Sequence, residues 1–171
     1  MLHRVFAASV FCSLASVLFL LSAQGTAETP ESYICIEPES GLVLLEAHAD
    51  LQRPPASMLK MMVLLLTMEG IVAGAWDYDT PITVSAHAQS MGGTQVYLAK
   101  GETWPLKTLV EAMAVASAND AAVAVAEGLW GSVDGCLKAM NQRAAALGMT
   151  KTVFYSVHGL PPDDGKTFDL T

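Results

Sequence analysis

Apolar and polar positions along the chain predict strands first and helices afterwards. Two apolar, β-branched-rich runs, 33–36 and 42–45, flank the turn-forming segment Glu37–Gly41. Such runs on either side of a Pro- and Gly-containing turn predict a β-hairpin, and we expect each strand to be buried on at least one face.

The next segment is almost wholly apolar and runs from Met58 to Glu69, behind Pro54 and Pro55. Prolines before a segment and glycines at its end are typical of helix boundaries, and a helix that is apolar all round is expected to be central and buried. It does not fit a membrane span, because Lys60 and Glu69 leave too short an uncharged stretch between them.

The rest of the chain predicts three more helices. Leu106, Leu109, Val110 and Met113 have helical spacing behind a proline, and that helix is expected to stop at Ser117–Asp120. We further expect helices over 121–130 and 132–147, and short strands over 82–84 and 152–155. The predicted class is therefore α with some β.

The N-terminus has the pattern of a secretory signal peptide: a short basic start, an uncharged stretch from Val5 to Ala23 and small residues before a polar segment. We expect cleavage after Ala27, which would also remove Cys12. The alternative is an uncleaved N-terminal anchor, since residues 5–21 are just long enough to span a bilayer.

Composition excludes some classes of protein. The chain has 171 residues, 52% hydrophobic and 15% charged, which argues against a disordered chain. With Lys+Arg 9 against Asp+Glu 17, a nucleic-acid surface is not expected. Cys35 and Cys136 are too few for a disulfide scaffold; each is expected to be a buried thiol, and their pairing stays open.

The most informative chemistry is a Ser-x-x-Lys pair, Ser57 and Lys60, at the mouth of the apolar helix. Residues three apart share a helical face, so the amine can approach a hydroxyl that sits near free backbone N–H groups. A lysine activates a serine only if burial or nearby charge lowers its pKa. The alternative is a helix-capping serine beside a surface lysine.

A second polar element, Ser117-Ala118-Asn119, interrupts two apolar helices. A hydroxyl and a carboxamide at alternate positions of a turn can face one cleft and supply a proton relay and a ligand for an amide. The alternative is an ordinary helix junction with a polar cap.

Over residues 31–171 the sequence resembles the low-molecular-mass penicillin-binding D-alanyl-D-alanine carboxypeptidases, which are serine peptidases. The resemblance implies that Ser57 is the acylated nucleophile, Lys60 its general base, Ser117 a proton relay, and Asn119 a ligand of both Lys60 and the substrate amide. The Ser57 N–H would form half of an oxyanion hole. The segments that carry the resemblance are RPPASMLK (53–60), GG (92–93), GET (101–103), VASANDAA (115–122), LGM (147–149) and HGLP (158–161).

The resemblance implies an α/β (α+β) fold of the β-lactamase/transpeptidase-like type, an antiparallel sheet flanked by helices with a helical subdomain. The family's third motif, Lys-Thr-Gly on a downstream strand, does not occur in these 171 residues, and Gly165–Phe168 does not supply it. We therefore expect residues 1–27 to be a signal peptide and 28–171 to be the incomplete N-terminal part of a catalytic domain, inactive as given. The first strand would then expose an unpaired edge.

The implied partners are peptidoglycan stem peptides ending in D-Ala-D-Ala and β-lactam antibiotics, with no nucleic acid. The implied location is the periplasm or the outer face of the cytoplasmic membrane, with attachment through a C-terminal segment outside these residues. The alternatives are a catalytically silent penicillin-recognising or wall-binding module, and a class A β-lactamase. The latter is disfavoured because no acidic residue lies between Asp134 and Asp163 to activate a deacylating water.

The other candidate residues show no pattern typical of a functional site. His48, His87 and His158 lack metal-ligand spacing and are expected to be solvated or structural, so no metal or cofactor is implied. The tryptophans and methionines are expected to pack in the core.

Overall fold

The computed structural model describes residues 30–162, 165 and 168–171. The expected signal segment lies outside the described residues. The chain divides into two compact units, one ending at Leu51 and the other running from Gln52 to Thr171.

The first unit contains the expected β-hairpin. Strands β1 (Tyr33–Ile36) and β2 (Val43–Ala47) pair antiparallel, with an irregularity between Cys35 and Ile36. The expectation that each strand is buried on one face is wrong, because Ile34 and Leu45 are 56% and 59% exposed. A two-stranded ribbon has no second layer of its own to cover either face.

The second unit is mainly helical. Its 3₁₀ turn Ala56–Leu59 leads directly into the first helix. The other elements are α1 (Lys60–Val72), β3 (Pro81–Thr83), α2 (Ala86–Gln89), β4 (Thr103–Pro105), α3 (Leu106–Ala116), α4 (Asn119–Trp130) and α5 (Val133–Ala146).

Helix α4 forms the centre of this unit. It is buried from Asn119 to Ala126 and contacts α3, α5, α2 and β3. Its alanines and valines keep the side chains short, so the neighbouring helices can pack closely around it. The helix ends at Gly131, whose φ of +76° is the left-handed conformation common after a helix.

The expected helices are confirmed, with small shifts at their ends, but α1 is not buried all round. Met61 is 65% exposed and Val72 89% exposed, although most of the residues between them are buried or partly buried. The predicted strand over 152–155 is reduced to an isolated bridge between Val153 and Leu170. Strand β4 and the short helix α2 were not expected from the sequence pattern. Among the described residues, no helix has the length and hydropathy that crossing a membrane requires.

Candidate active site

The Ser57 turn is the 3₁₀ segment Ala56–Leu59 together with Lys60, the first residue of α1. Ser57 is exposed, whereas Leu59 and Lys60 are buried, with 3% of each accessible. The tight turn places the Lys60 Nζ 2.9 Å from the Ser57 Oγ. A solvent-facing hydroxyl is thus paired with an amine from the protein interior.

The buried amine of Lys60 has three oxygen neighbours. Its Nζ lies 2.9 Å from the Ser57 Oγ, 3.4 Å from the Ser117 Oγ and 2.9 Å from the backbone carbonyl of His158. Burial lowers the pKa of Lys60 from 10.5 to about 8, because desolvation disfavours the charged form. The neutral amine, which can accept a proton, is therefore accessible near neutral pH.

The Ser117 turn is the junction between α3 and α4, residues 117–120. Ser117 has φ +57° and ψ 32°, a left-handed conformation that is uncommon for a residue other than glycine. This turn ends α3 and brings the Ser117 hydroxyl within 3.4 Å of the Lys60 Nζ. One amine thereby connects both serine-bearing turns.

Asn119 is buried in the first turn of α4, and no hydrogen bond joins its side chain to Lys60 in the described residues. Its Nδ2 donates to the Gly92 carbonyl at 2.8 Å, and its backbone N–H donates to the Thr94 carbonyl at 2.8 Å. The Oδ1 is buried and has no hydrogen-bond partner in the part of the chain that the structure describes. The Lys60–Asn119 hydrogen bond that the resemblance implies is thus not present among the described residues, where the Lys60 amine contacts Ser57, Ser117 and His158.

Asp120 anchors the Ser117 turn to the loop formed by residues 92–98. Its side chain is fully buried, and its carboxylate accepts the N–H groups of Val96 at 3.2 Å, Leu98 at 3.0 Å and Ala121 at 2.9 Å. Sequence reasoning treated this residue only as part of a polar junction. An acid directly after the predicted Ser117-Ala118-Asn119 turn and before the apolar run 121–126 was the available signal.

A second loop, residues 156–160, closes on the Ser57 turn. Gly159 has φ +79°, and a Cβ added there would lie 2.1 Å from the Ala56 carbonyl oxygen. Its N–H donates to the Ser156 Oγ, which in turn donates to the buried Asp169 carboxylate at 2.7 Å. The loop thus needs glycine where it approaches the backbone beside Ser57.

His158 was expected to be a solvated or structural histidine, and its ring fits the structural alternative. Nδ1 accepts the Leu160 N–H at 3.1 Å. Burial, followed by the charge of Lys60, lowers the pKa of His158, so the ring is neutral near pH 7. Its backbone carbonyl, which no side-chain pattern reveals, is the group that contacts Lys60.

Apart from Met58, the remaining candidates lie outside the Ser57 and Ser117 turns. His87 pairs with Glu127 at 2.9 Å, and no group of His, Cys, Asp or Glu in the described residues could hold a metal ion. Both described cysteines are free; Cys136 is buried as expected, with its pKa raised to about 12 by burial, but Cys35 is exposed on the hairpin. Trp76 packs edge-on against Trp130 with ring centroids 5.4 Å apart, as expected for packing residues. The same expectation is wrong for Trp104, Met58 and Met61, which are exposed.

Comparison with solved structures defines the class of protein. The fold is similar to that of the D-alanyl-D-alanine carboxypeptidase DacD from Francisella tularensis, with a TM-score of 0.79 and 32% identity over 86% of this chain and 35% of that one. It is also similar to penicillin-binding protein D2 from Listeria monocytogenes in its ampicillin-bound form, with a TM-score of 0.70 and 28% identity over 82% of this chain and 55% of that one. The β-lactamase/transpeptidase-like α+β fold expected from the resemblance is confirmed.

Comparison of sequences gives the family. Residues 21–169 match peptidase S11, described as D-alanyl-D-alanine carboxypeptidase. The chain is 39% identical over 134 residues to DacF of Bacillus subtilis and 36% identical over 139 residues to DacA of Escherichia coli K12. Each alignment covers 78% of this chain and 34% of the relative, so the chain spans about a third of the length of these relatives. The chain belongs to the peptidase S11 family of D-alanyl-D-alanine carboxypeptidases.

Proposed function

We propose that this chain carries the acylating machinery of a serine D-Ala-D-Ala carboxypeptidase, which removes the terminal D-alanine of peptidoglycan stem peptides through an acyl-enzyme on Ser57. The observation that carries the proposal is the buried Lys60 amine, 2.9 Å from the exposed Ser57 hydroxyl. Family membership and the names of its relatives support the substrate class.

In the proposed first step, neutral Lys60 takes the proton of Ser57 as the Ser57 Oγ attacks the carbonyl carbon of the penultimate D-alanine. The carbonyl oxygen becomes an oxyanion, for which the Ser57 N–H supplies one donor. When the C–N bond breaks, the leaving D-alanine nitrogen receives the proton from Lys60 through the Ser117 hydroxyl. The peptidyl group remains as an ester on Ser57.

In the proposed second step, water adds to the ester carbonyl and gives up a proton to the same amine. The C–O bond to Ser57 then breaks and the serine recovers its proton, which releases the shortened peptide. A β-lactam enters the first step in the same way: its ring amide opens on Ser57, and the leaving nitrogen stays attached. The buried Asn119 Oδ1 would accept an N–H of either ligand.

Fluorescent penicillin labelling of the full-length gene product tests the proposal. Ser57→Ala should abolish the label, whereas Ser132→Ala should keep it, because Ser132 also begins a helix but its hydroxyl only accepts the Gly135 N–H. Equal labelling of wild type and Ser57→Ala would refute Ser57 as the nucleophile.

Two outcomes would favour the alternative functions. Penicillin binding without a covalent adduct would indicate a silent recognition module. Rapid release of hydrolysed penicillin, with no carboxypeptidase activity, would indicate a β-lactamase.

We also propose export to the periplasm or the outer face of the cytoplasmic membrane, supported by the N-terminal pattern of residues 1–27. N-terminal sequencing of the exported protein should begin at Glu28. A first residue of Met1 on a membrane-bound protein would instead indicate an uncleaved anchor.

A further inference from the structure

Tyr97 combines an unfavourable backbone with an exposed aromatic ring. Its φ is +60°, in the left-handed region, and 84% of the residue is accessible. For a bulky residue such a φ is an outlier that persists only where the surroundings impose it, and such outliers cluster at ligand sites.

The conformation of Tyr97 is imposed by Asp120. The N–H of Val96 and the N–H of Leu98, on either side of Tyr97, both point at the fully buried Asp120 carboxylate, at 3.2 and 3.0 Å. Because both flanking amides face the protein, the tyrosine between them is left on the outside. The position of its backbone is thereby fixed.

The loop that carries Tyr97 borders the candidate active site. Its Gly92 and Thr94 carbonyls hold the side chain and the backbone of Asn119, each at 2.8 Å. The Asn119 Oδ1, in a residue only 3% exposed, has no partner among the described residues. A buried acceptor of this kind is costly unless a ligand N–H satisfies it, so a ligand amide is expected beside this loop.

We propose that the Tyr97 ring borders the substrate site and contacts the side chain of the acyl portion of the substrate, the part that stays on Ser57. Asn119 fixes the acyl amide, and Tyr97 selects acyl donors that carry an apolar or aromatic group next to that amide. A tyrosine suits this role, since its ring offers a large apolar surface and few rotatable bonds. This proposal rests on the proposed function.

Acylation by two β-lactams tests the selectivity. Benzylpenicillin carries an aromatic acyl group, whereas 6-aminopenicillanic acid has the same nucleus without it. Tyr97→Asn removes the ring and keeps a residue that tolerates a left-handed backbone. In the full-length gene product, we expect it to lower the second-order acylation rate constant for benzylpenicillin about tenfold and to leave that for 6-aminopenicillanic acid within about twofold.

Two controls accompany this variant. Tyr97→Phe keeps the ring and should react like the wild type with both compounds. Tyr78→Asn removes another partly exposed ring, 46% accessible in the turn before β3, and should also leave both rate constants unchanged. Melting temperature shows whether each variant is folded, and Tyr97→Gly replaces Tyr97→Asn if the latter is destabilised.

The proposal is overturned if loss of the ring changes neither rate constant, or if it lowers both equally, which would indicate a purely structural role. Failure of the proposed function is a different result: neither compound would acylate even the wild type.

Discussion

The Ser57 turn and the Ser117 turn both present a serine at the start of a helix, but they do so in opposite ways. At the Ser57 turn the hydroxyl is exposed and its partner Lys60 is buried; Lys60 has right-handed backbone, whereas Ala56, just before the serine, is left-handed with φ +48°. At the Ser117 turn the serine has a left-handed backbone, and the residues that follow, Asn119 and Asp120, are buried. The first turn exposes its serine to solvent, and the second turn is fixed by hydrogen bonds of buried side chains.

This difference separates two requirements of acyl transfer. In the proposed reaction, Ser57 needs access to substrate and a base whose pKa is lowered, and burial lowers the pKa of Lys60. The proposed relay Ser117 and the proposed amide ligand Asn119 need fixed positions, which the hydrogen bonds of Asn119 and Asp120 to the 92–98 loop supply. Substitutions at the two turns should therefore differ in how they change the free energy of unfolding and the rate of acylation.

The largest expected effect is at Gly159, which supports the Ser57 turn. In Gly159→Ala the added Cβ would lie 2.1 Å from the Ala56 carbonyl oxygen, so the loop or the turn must shift. We expect a loss of more than about 3 kcal/mol in the free energy of unfolding, together with loss of acylation. Urea unfolding and penicillin labelling measure the two effects.

Gly148→Ala is the matched control for that substitution. Gly148 has φ +76°, close to the +79° of Gly159, but nothing lies within 4 Å of its added Cβ. This variant should lose only about 1–2 kcal/mol of its free energy of unfolding, the cost of a left-handed backbone for alanine, and should still be labelled by penicillin. Equal losses in the two variants would show that steric contact with the Ser57 turn is unimportant.

The next effect is at the Ser117 turn. Asp120→Asn replaces a buried acceptor of backbone N–H groups with a side chain that turns one donor toward them. We expect the free energy of unfolding to fall by about 2–3 kcal/mol, measured by urea unfolding.

Asp134→Asn provides the comparison, since Asp134 is also in the first turn of a helix but is exposed. The free energy of unfolding of Asp134→Asn should fall by no more than about 0.5 kcal/mol. A similar value for both variants would contradict the anchoring role of Asp120.

The smallest effects distinguish the two serines themselves. Ser117→Gly relieves a left-handed backbone and should raise the free energy of unfolding by up to about 1 kcal/mol while slowing acylation. Ser57→Gly places glycine in right-handed backbone and should lower stability by about 0.5–1 kcal/mol. Changes of the same sign, measured by thermal unfolding, would show that the two serines do not differ in backbone strain.

The sequence pattern predicted the elements that depend on local periodicity and on the Pro and Gly residues that end them. The hairpin, α1 and α3–α5 follow from apolar spacing and from Pro and Gly at their ends, and the Ser57–Lys60 contact follows from spacing within one helical turn. The pattern did not predict the exposure of the hairpin, because it shows that the strands are apolar but not whether another layer covers them.

Contacts between distant residues were beyond such reasoning. The His158 carbonyl lies 98 residues from Lys60 in sequence, and a backbone carbonyl leaves no side-chain signature. The contacts of the Asp120 carboxylate with the 92–98 loop could not be predicted either, because they depend on where that loop folds. The family resemblance included the His158–Pro161 segment but assigned no function to it.

The central claim is that Lys60, made less basic by burial, deprotonates Ser57. The pH dependence of the benzylpenicillin acylation rate constant tests it most directly. The neutral fraction of Lys60 grows as pH rises toward its pKa of about 8, so the rate constant should rise about tenfold per pH unit below that value and level off above it. A rate constant that is flat from about pH 6 to about pH 9, or one that keeps rising to about pH 10.4 as for an ordinary lysine, would contradict the account.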